Sequence, residues 1–382
     1  MKIEEMCSKY WQSRPVMINN LYIRSYYKYL MKGVILHGGA GTRLRPITHN
    51  GPKQLIPIAN KPMSQYALEY LVDSGIRDIA IILGDLYPQK VKDYYGDGTK
   101  FGCRIEYIEQ GKPLGIAHAI SLTRDFVDGD RFVVVLGDNL ISDSIERFAK
   151  DFNGSDLDAF LLLSHTSHPQ DFGIARTSDE GKIIELVEKP INPPSDLAVT
   201  GIYFFSPRIY DHISKLKPSK RGEYEITEAI QSLIKDGGNV GYEIITGWWK
   251  DTGTVDDILA ANRLVLENID HNFDDKNIQG KVSIGKDAKI SDDSLIRGPA
   301  VIGNNVLIEG NAYIGPFTSV GDNSVIRKVS IENSIIMKNS VVDTNSIIVD
   351  SIIGENTRVM NSINLKPVGK RMIVGENSIV YI

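Results

Sequence analysis

The sequence predicts two folded parts in 382 residues, a mostly parallel α/β sheet and a parallel β-helix after it. Three observations carry this. Between residues 31 and about 269, continuous apolar runs alternate with segments of helical spacing. A glycine-rich stretch directly follows the first of those runs. From residue 282 onward, aliphatic residues recur at every sixth position.

Residues 1–30 precede the first predicted strand. Trp11, Tyr10, Tyr22, Tyr26, Tyr27 and Tyr29 lie among Lys and Arg there, without the apolar core of a secretory signal. They read as an N-terminal extension, or as sequence upstream of a start at Met31; a membrane-surface or partner-binding helix is the alternative.

In the α/β part, Gly33 to Leu36 read as a short buried strand. Ile79 to Leu83 and Phe132 to Leu136 are uninterrupted apolar runs, as strands covered on both faces require. Met63, Tyr66, Ala67, Tyr70 and Leu71 fall at helical spacing between Pro62 and Gly75. Ile258, Leu259, Asn262, Leu264, Val265 and Leu266 mark a second helix. Strand and helix in alternation give a mostly parallel sheet, with ligands at the carboxyl ends of its strands.

The β-helix rests on the series Ile284, Ile290, Ile296, Ile302, Ile308, Ile314, Val320 and Ile326, followed in a second register by Ile336, Val342 and Ile348. Each short strand turns one aliphatic side chain inward, and Gly285, Gly303, Gly315 and Gly321 directly follow theirs. The expected division is 1–30 extension, 31–269 α/β domain and 275–382 β-helix.

Composition narrows the function. Hydrophobic residues at 42% and charged residues at 24% are ordinary for a soluble chain, and a net charge of −5 offers nucleic acid no electrostatic footprint. Cys7 and Cys103 form no disulfide or metal pattern, which suits a reducing cytoplasm. No apolar run approaches the roughly 20 residues that span a bilayer.

Chemistry concentrates at the ends of the predicted strands. Gly38, Gly39 and Gly41, followed by Thr42, Arg43 and Arg45, leave backbone N–H groups room to close on phosphate oxygens. Arg43, Arg45 and Lys53 add cations for a polyphosphate. The stretch lacks the ending of a P-loop and the spacing of a dinucleotide fold. Asp138 ends the run Val133-Val134-Val135-Leu136-Gly137, a place that suits Mg²⁺, and Asp251 in Trp248-Trp249-Lys250-Asp251-Thr252-Gly253 is its candidate partner; either alone is equally suited to a turn or a helix cap. Glu188-Lys189-Pro190 offers a carboxylate and an ammonium for sugar hydroxyls and a phosphate, or else a solvated charge pair. Arg221 is a second phosphate candidate.

The order GGxGTRLxPxT followed by PKQ resembles the signature of sugar-1-phosphate nucleotidylyltransferases. The segments PKQLIPIANKPM, YGDGTKFG, QGKPLGIAHAI, VLGDN, EKP, AVTGIYFF, LKPSKRGEYEIT and WWKDTG extend the likeness over residues 32–269, and to the glucose-1-phosphate thymidylyltransferase branch in its long form. The resemblance implies a Rossmann-like sheet and a left-handed β-helix. It implies that Gly38, Gly39, Gly41, Thr42 and Arg43 hold the triphosphate, with Gln54 beside the nucleotide and Gln110 and Gly115 on the base edge. It places Gly173, Glu188, Lys189, Val199, Tyr203 and Arg221 around the sugar phosphate, and makes Asp138 and Asp251 Mg²⁺ ligands. Arg43, Lys53 and Lys189 become the catalytic cations, with dTTP or alternatively UTP and a sugar 1-phosphate as partners. A homo-oligomer is expected. Uridylyl transfer to glucose or N-acetylglucosamine 1-phosphate, an acetyltransferase activity in the β-helix and a non-catalytic sensor are the competing functions. His37 departs from the family pattern, which carries a small residue before the glycines.

Overall fold

The computed structural model describes residues 31–39 and 41–361; the expected extension 1–30 lies outside them. These residues form two compact units that do not follow chain order. One contains residues 31–42, Thr48–Leu55 and Met63–Asp251. The other contains Arg43–Ile47, Ile56–Pro62 and the chain from Thr252 on.

The first unit is built on a nine-stranded sheet. Lys32–His37 lies inside it, parallel to Asp78–Gly84 on one side and to Phe132–Leu136 on the other. Arg104–Gly111 extends the first side, also in parallel. Along these strands alternate side chains enter opposite cores. Val34, Leu36, Ala80, Ile82 and Val134 join one cluster, and Ile35, Ile79, Ile81, Val133 and Val135 join the other. This is why the runs are continuously apolar instead of alternating. The helix Met63–Asp73 buries Met63, Tyr66, Ala67, Leu68 and Leu71, and Tyr70 donates from its hydroxyl to the Ile141 carbonyl at 2.8 Å.

Beyond Phe132–Leu136 the sheet is mixed. Leu197–Phe205 runs antiparallel to it and to Ala159–His165 and Gly173–Thr177. Periodicity does not record strand direction, so this antiparallel half was not visible in the sequence.

The first strand is the point where strand order reverses, because the chain goes to one side of it first and to the other later. Crevices open at the carboxyl ends of strands at such points. The glycines after His37 and the Gly137–Asp138 step after Leu136 both lie there.

The second unit is a parallel β-helix with the helix Val255–Leu266, whose Thr254 and Asp257 form a reciprocal capping box. Val282, Ile296, Ile302, Ile308, Ile314, Val320, Ile326, Ile331, Ile336 and Val342 are among the residues that fill the coils. Ile284, Ile302 and Val320 stack at steps of 18 residues, three hexads per coil. Val320 then stacks on Ile336, a coil of 16. The second register in the sequence arises because Ile331, five residues after Ile326 and five before Ile336, takes an interior position against Ile314 and Ile348. At one corner Asp287, Asn305, Asn323, Asn339 and Asn356 all have φ between 55° and 59°. Asn and Asp tolerate that left-handed region. The four asparagines also bond in a ladder, at 3.1, 3.1 and 3.3 Å from coil to coil.

Candidate active site

All but two of the site residues expected from the sequence lie in the sheet unit. Arg43 and Arg45, both exposed, fall within the unit that contains the β-helix, Arg43 on the turn Thr42–Leu44.

The glycine loop is held from below. Gln54, 1% exposed, donates through Nε2 to the Gly38 carbonyl at 2.6 Å. Thr48 donates to the Gly41 carbonyl at 2.8 Å. The Lys53 stem runs along the loop, its Cε 3.8 Å from where a Cβ on Gly39 would stand. Its ammonium pairs with the Asp138 carboxylate. Burial opposes the charge on Asp138, yet Lys53 and hydrogen bonds from Lys53 and Asn139 hold its carboxyl below the usual range.

Asp251 ends the strand Trp249–Asp251, which pairs antiparallel with Asn139–Ile141 and sets Asp251 opposite Asn139. Trp249 locks this pairing by donating from its indole to Asn139 Oδ1 at 2.8 Å. Asp138 thus stands directly before the strand Asn139–Ile141, and Asp251 ends the strand paired with it. Among the described residues no three His, Cys, Asp or Glu side chains converge as a complete cage. Asp138 and Asp251 are the hard oxygen donors here suited to Mg²⁺, which takes one or two carboxylates and fills the rest of its shell with phosphate oxygens and water.

Over the loop lies a cavity of about 230 Å³, lined by Leu36, Gly38, Gln110, Gly115, Asp138 and Glu223 among others. Gly115 has φ +105°, and a Cβ there would come within 2.6 Å of the Tyr224 carbonyl oxygen. This close approach brings Glu223 to the cavity wall. Gln110 Nε2 lies 3.2 Å from both the Gly115 carbonyl, to which it donates, and His118 Nδ1.

A second polar cluster surrounds Arg221. Its guanidinium reaches Glu223 at 2.6 Å, Glu225 at 3.3 Å and Glu188 at 3.6 Å. Thr227 donates to Glu188 at 3.2 Å. Burial and the neighbouring Glu225 push the Glu188 carboxyl up, against Arg221, Lys189 and the Thr227 hydroxyl. Gly173 lies beside this group, its Cβ position 3.1 Å from Glu188 Oε2 and 4.0 Å from Val199 Cγ2. Lys189 is exposed with φ +41°, a strained backbone for a residue with a Cβ. Tyr203 is 4% exposed, and its hydroxyl is pushed up by burial first and by the charges of Glu188 and Asp138 next. Both carboxylates therefore act on one phenol.

Glu225, Thr227, Asn139 and Trp249 were missed in the sequence. Glu223 and Glu225 stand two and four residues after Arg221, and that spacing is the only local signal they gave. His37 is a core residue, 4% exposed, with neither ring nitrogen hydrogen-bonded among the described residues. Burial lowers its pKa to about 3, with Asp138 acting in the opposite direction.

A Rossmann-like sheet with a glycine-rich loop and an acid at the switch point, joined to a parallel β-helix, is the architecture of a long-form nucleotidyltransferase. The Nucleotidyl transferase family profile matches residues 32–268, and the GMPPB C-terminal domain profile matches 296–381. The chain belongs to the nucleotidyltransferase family. It is 45% identical over 91% of its length to the low-salt glycan biosynthesis nucleotidyltransferase Agl11 of Haloferax volcanii, covering 99% of that protein. It is 44% identical over 92% of its length to a glucose-1-phosphate thymidylyltransferase of Streptomyces antibioticus, again covering 99%. A Bacillus anthracis structure, a putative glucose-1-phosphate thymidylyltransferase in complex with a sucrose, is similar with TM-score 0.59 and 42% identity; 64% of this chain covers 98% of it. No helix among the described residues is long and apolar enough to cross a membrane.

Proposed function

We propose that the chain transfers a thymidylyl group from dTTP to glucose 1-phosphate, releasing pyrophosphate and dTDP-glucose. The observation that carries this is a pair of cations held by carboxylates, Lys53 on Asp138 beside the glycine loop and Arg221 on Glu188, Glu223 and Glu225. Two such cations suit two phosphorylated substrates. The thymine preference is supported by the similarity to thymidylyltransferases.

The nucleoside enters the cavity between Gln110, Gly115 and Leu36, and the triphosphate lies over Gly38 to Arg43. Lys53 leaves Asp138 for the phosphates, so one ion pair is exchanged for two. Asp138 and Asp251 would hold Mg²⁺, which supplies charge neutralisation at the phosphoryl oxygens. Glu188 and the backbone at Gly173 and Val199 hold the sugar, and Lys189 and Arg221 its phosphate. The phosphate oxygen of the sugar, already ionised near neutral pH, attacks the α-phosphorus in line; the bond to the β,γ-pyrophosphate breaks and Arg43 stabilises the departing charge. No side chain need act as base, and the catalysis is positioning plus electrostatics. The β-helix is assigned to assembly or regulation and not to acetyl transfer, because His271 is the last histidine and the sequence after it holds none to serve as an acetyl-transfer base.

UTP is the second nucleotide. A structure of UDP-glucose pyrophosphorylase complexed with UDP-glucose is similar at TM-score 0.57 and 26% identity. The two differ by the thymine methyl, worth only about 1–3 kcal/mol, and by the ribose 2′-hydroxyl of UTP. The test is pyrophosphate release from dTTP, UTP, ATP, GTP and CTP, each with glucose, N-acetylglucosamine and mannose 1-phosphates. The pair dTTP and glucose 1-phosphate is expected to be fastest; a rate tenfold higher for another nucleotide overturns the assignment.

A further inference from the structure

Three residues after Gln54 the chain enters a hairpin, Pro57–Ile58 paired with Lys61–Pro62. Its corner residues Ala59 and Asn60 have φ +47° and +65°. Positive φ at both positions matches the twist of a two-residue hairpin, and Asn accepts it readily. Alanine does not, having a Cβ and no side-chain hydrogen bond to offer. A strained residue persists where its surroundings over-determine it.

Those surroundings are polar, buried and within one compact unit. Asn262, in the middle of the helix Val255–Leu266, is 0% exposed. Its Oδ1 accepts from the Ala59 N–H at 2.8 Å and from the Ser319 hydroxyl at 2.7 Å. Its Nδ2 donates to the Phe317 carbonyl at 3.0 Å. Asn60 donates from its side chain to the Val320 carbonyl at 2.7 Å. Phe317, Ser319 and Val320 are β-helix residues. A buried amide in a helix interior is costly unless bonded, and the helix itself gains nothing from it. Asn262 thus ties three things together: its own helix, a coil of the β-helix and the backbone of a strained turn.

We propose that Asn262 is a positioning residue for nucleotidyl transfer, pinning the Ile56–Pro62 hairpin and with it the chain end from which Lys53 and Gln54 project. The turn Arg43–Ile47 belongs to the same unit as the hairpin, so the segment bearing Lys53 and Gln54 leaves that unit after Ile47 and re-enters it at Ile56. The β-helix then supports the transfer reaction as well as any assembly. This rests on the reading that Lys53 serves the triphosphate.

The test compares Asn262→Leu with Asn323→Ala in the full chain. The second variant breaks the corner ladder and leaves the hairpin's bonds in place. Amide exchange across residues 50–62 and steady-state kinetics are read on both. Asn262→Leu is expected to speed exchange there and to lower kcat/KM for the nucleotide roughly tenfold or more, with the KM for sugar phosphate changed less than about twofold. Asn323→Ala should lower thermal stability and leave both readouts at wild-type values. Unchanged exchange in Asn262→Leu overturns the pin, and faster exchange with unchanged kinetics overturns the positioning role. If Asn262→Leu does not fold, Asn60→Ala removes the second anchor from a half-exposed site; it should shift both readouts the same way by a smaller factor, and no shift overturns the proposal. If the wild type transfers no nucleotide, the functional reading fails while exchange still decides the pin.

Discussion

The sheet unit and the β-helix both bury polar side chains, but they use them differently. In the β-helix, buried or corner polar groups bond to their own counterparts one coil away: Asn305 to Asn323, Asn323 to Asn339, and the Ser294 hydroxyl to the Ala312 amide at 3.2 Å. Each coil thus bonds to the next, with the buried Thr318 hydroxyl as the exception among the described residues, and the pattern repeats as a scaffold does. In the sheet unit the polar groups are gathered at strand ends and are unlike one another. Lys53 meets Asp138, three carboxylates share Arg221, and Gln54 carries a buried Oε1 with no partner among the described residues. Repeated, self-satisfied polarity marks structure; dissimilar, incompletely satisfied polarity marks chemistry.

The sharpest way to break that contrast is to neutralise its acids. Asp138→Asn and Asp251→Asn keep shape and remove a charge. Each is expected to lower kcat roughly 100-fold or more, measured at saturating substrates with millimolar Mg²⁺. Near-normal turnover of either would remove that residue from the metal site.

Next comes Glu188→Gln. The Glu188 carboxyl is pushed up in the folded chain, so folding favours its protonated form. Its contribution to stability is complete below the unfolded value near about 4.3 and is lost as pH rises. The variant should therefore melt higher than wild type at pH 7, and the difference should close by about pH 4. Its kcat/KM for sugar phosphate should fall roughly tenfold or more. Lower stability at pH 7 would contradict the upward shift of this carboxyl by burial and Glu225.

In the scaffold, Asn323→Ala removes two ladder bonds and puts a Cβ without a side-chain bond at φ +59°. A loss of about 1–3 kcal/mol in denaturant unfolding is expected, with unaltered kcat. A kinetic defect would blur the division between the regions.

The effect that is smallest at pH 7, and grows only in acid, concerns His37. Its pKa is lowered to about 3 by burial, so the unfolded chain takes up a proton that the folded chain refuses. Stability should fall as pH drops from about 6.5 toward 3, by up to about 1.4 kcal/mol per pH unit from this group. His37→Leu should flatten the slope between pH 6 and 4. Parallel curves for variant and wild type would show that the ring is solvated.

Much of this was legible in the sequence, for physical reasons. Runs such as Val133–Leu136 signal a strand covered on both faces, and a six-residue period leaves few alternatives to a coil. Asp138 was visible because it ends such a run. Strand direction was not, since Leu197–Phe205 is equally apolar in either sense. The Ile331 step was hidden by its five-residue spacing. Asn262 read only as a helix position, because its partners Ala59, Phe317 and Ser319 are distant in sequence and two of its bonds go to backbone. Sequence patterns record what a side chain repeats; they do not record which distant backbone group it holds.

The central claim is direct in-line transfer by positioned charge, without a nucleotidyl-enzyme intermediate. Exchange of labelled pyrophosphate into dTTP, with Mg²⁺ and the full chain, tests it most directly. No exchange is expected with dTTP and pyrophosphate alone, and rapid exchange once glucose 1-phosphate is added. Exchange without the sugar phosphate would contradict direct transfer, and no exchange with it would contradict the reaction itself.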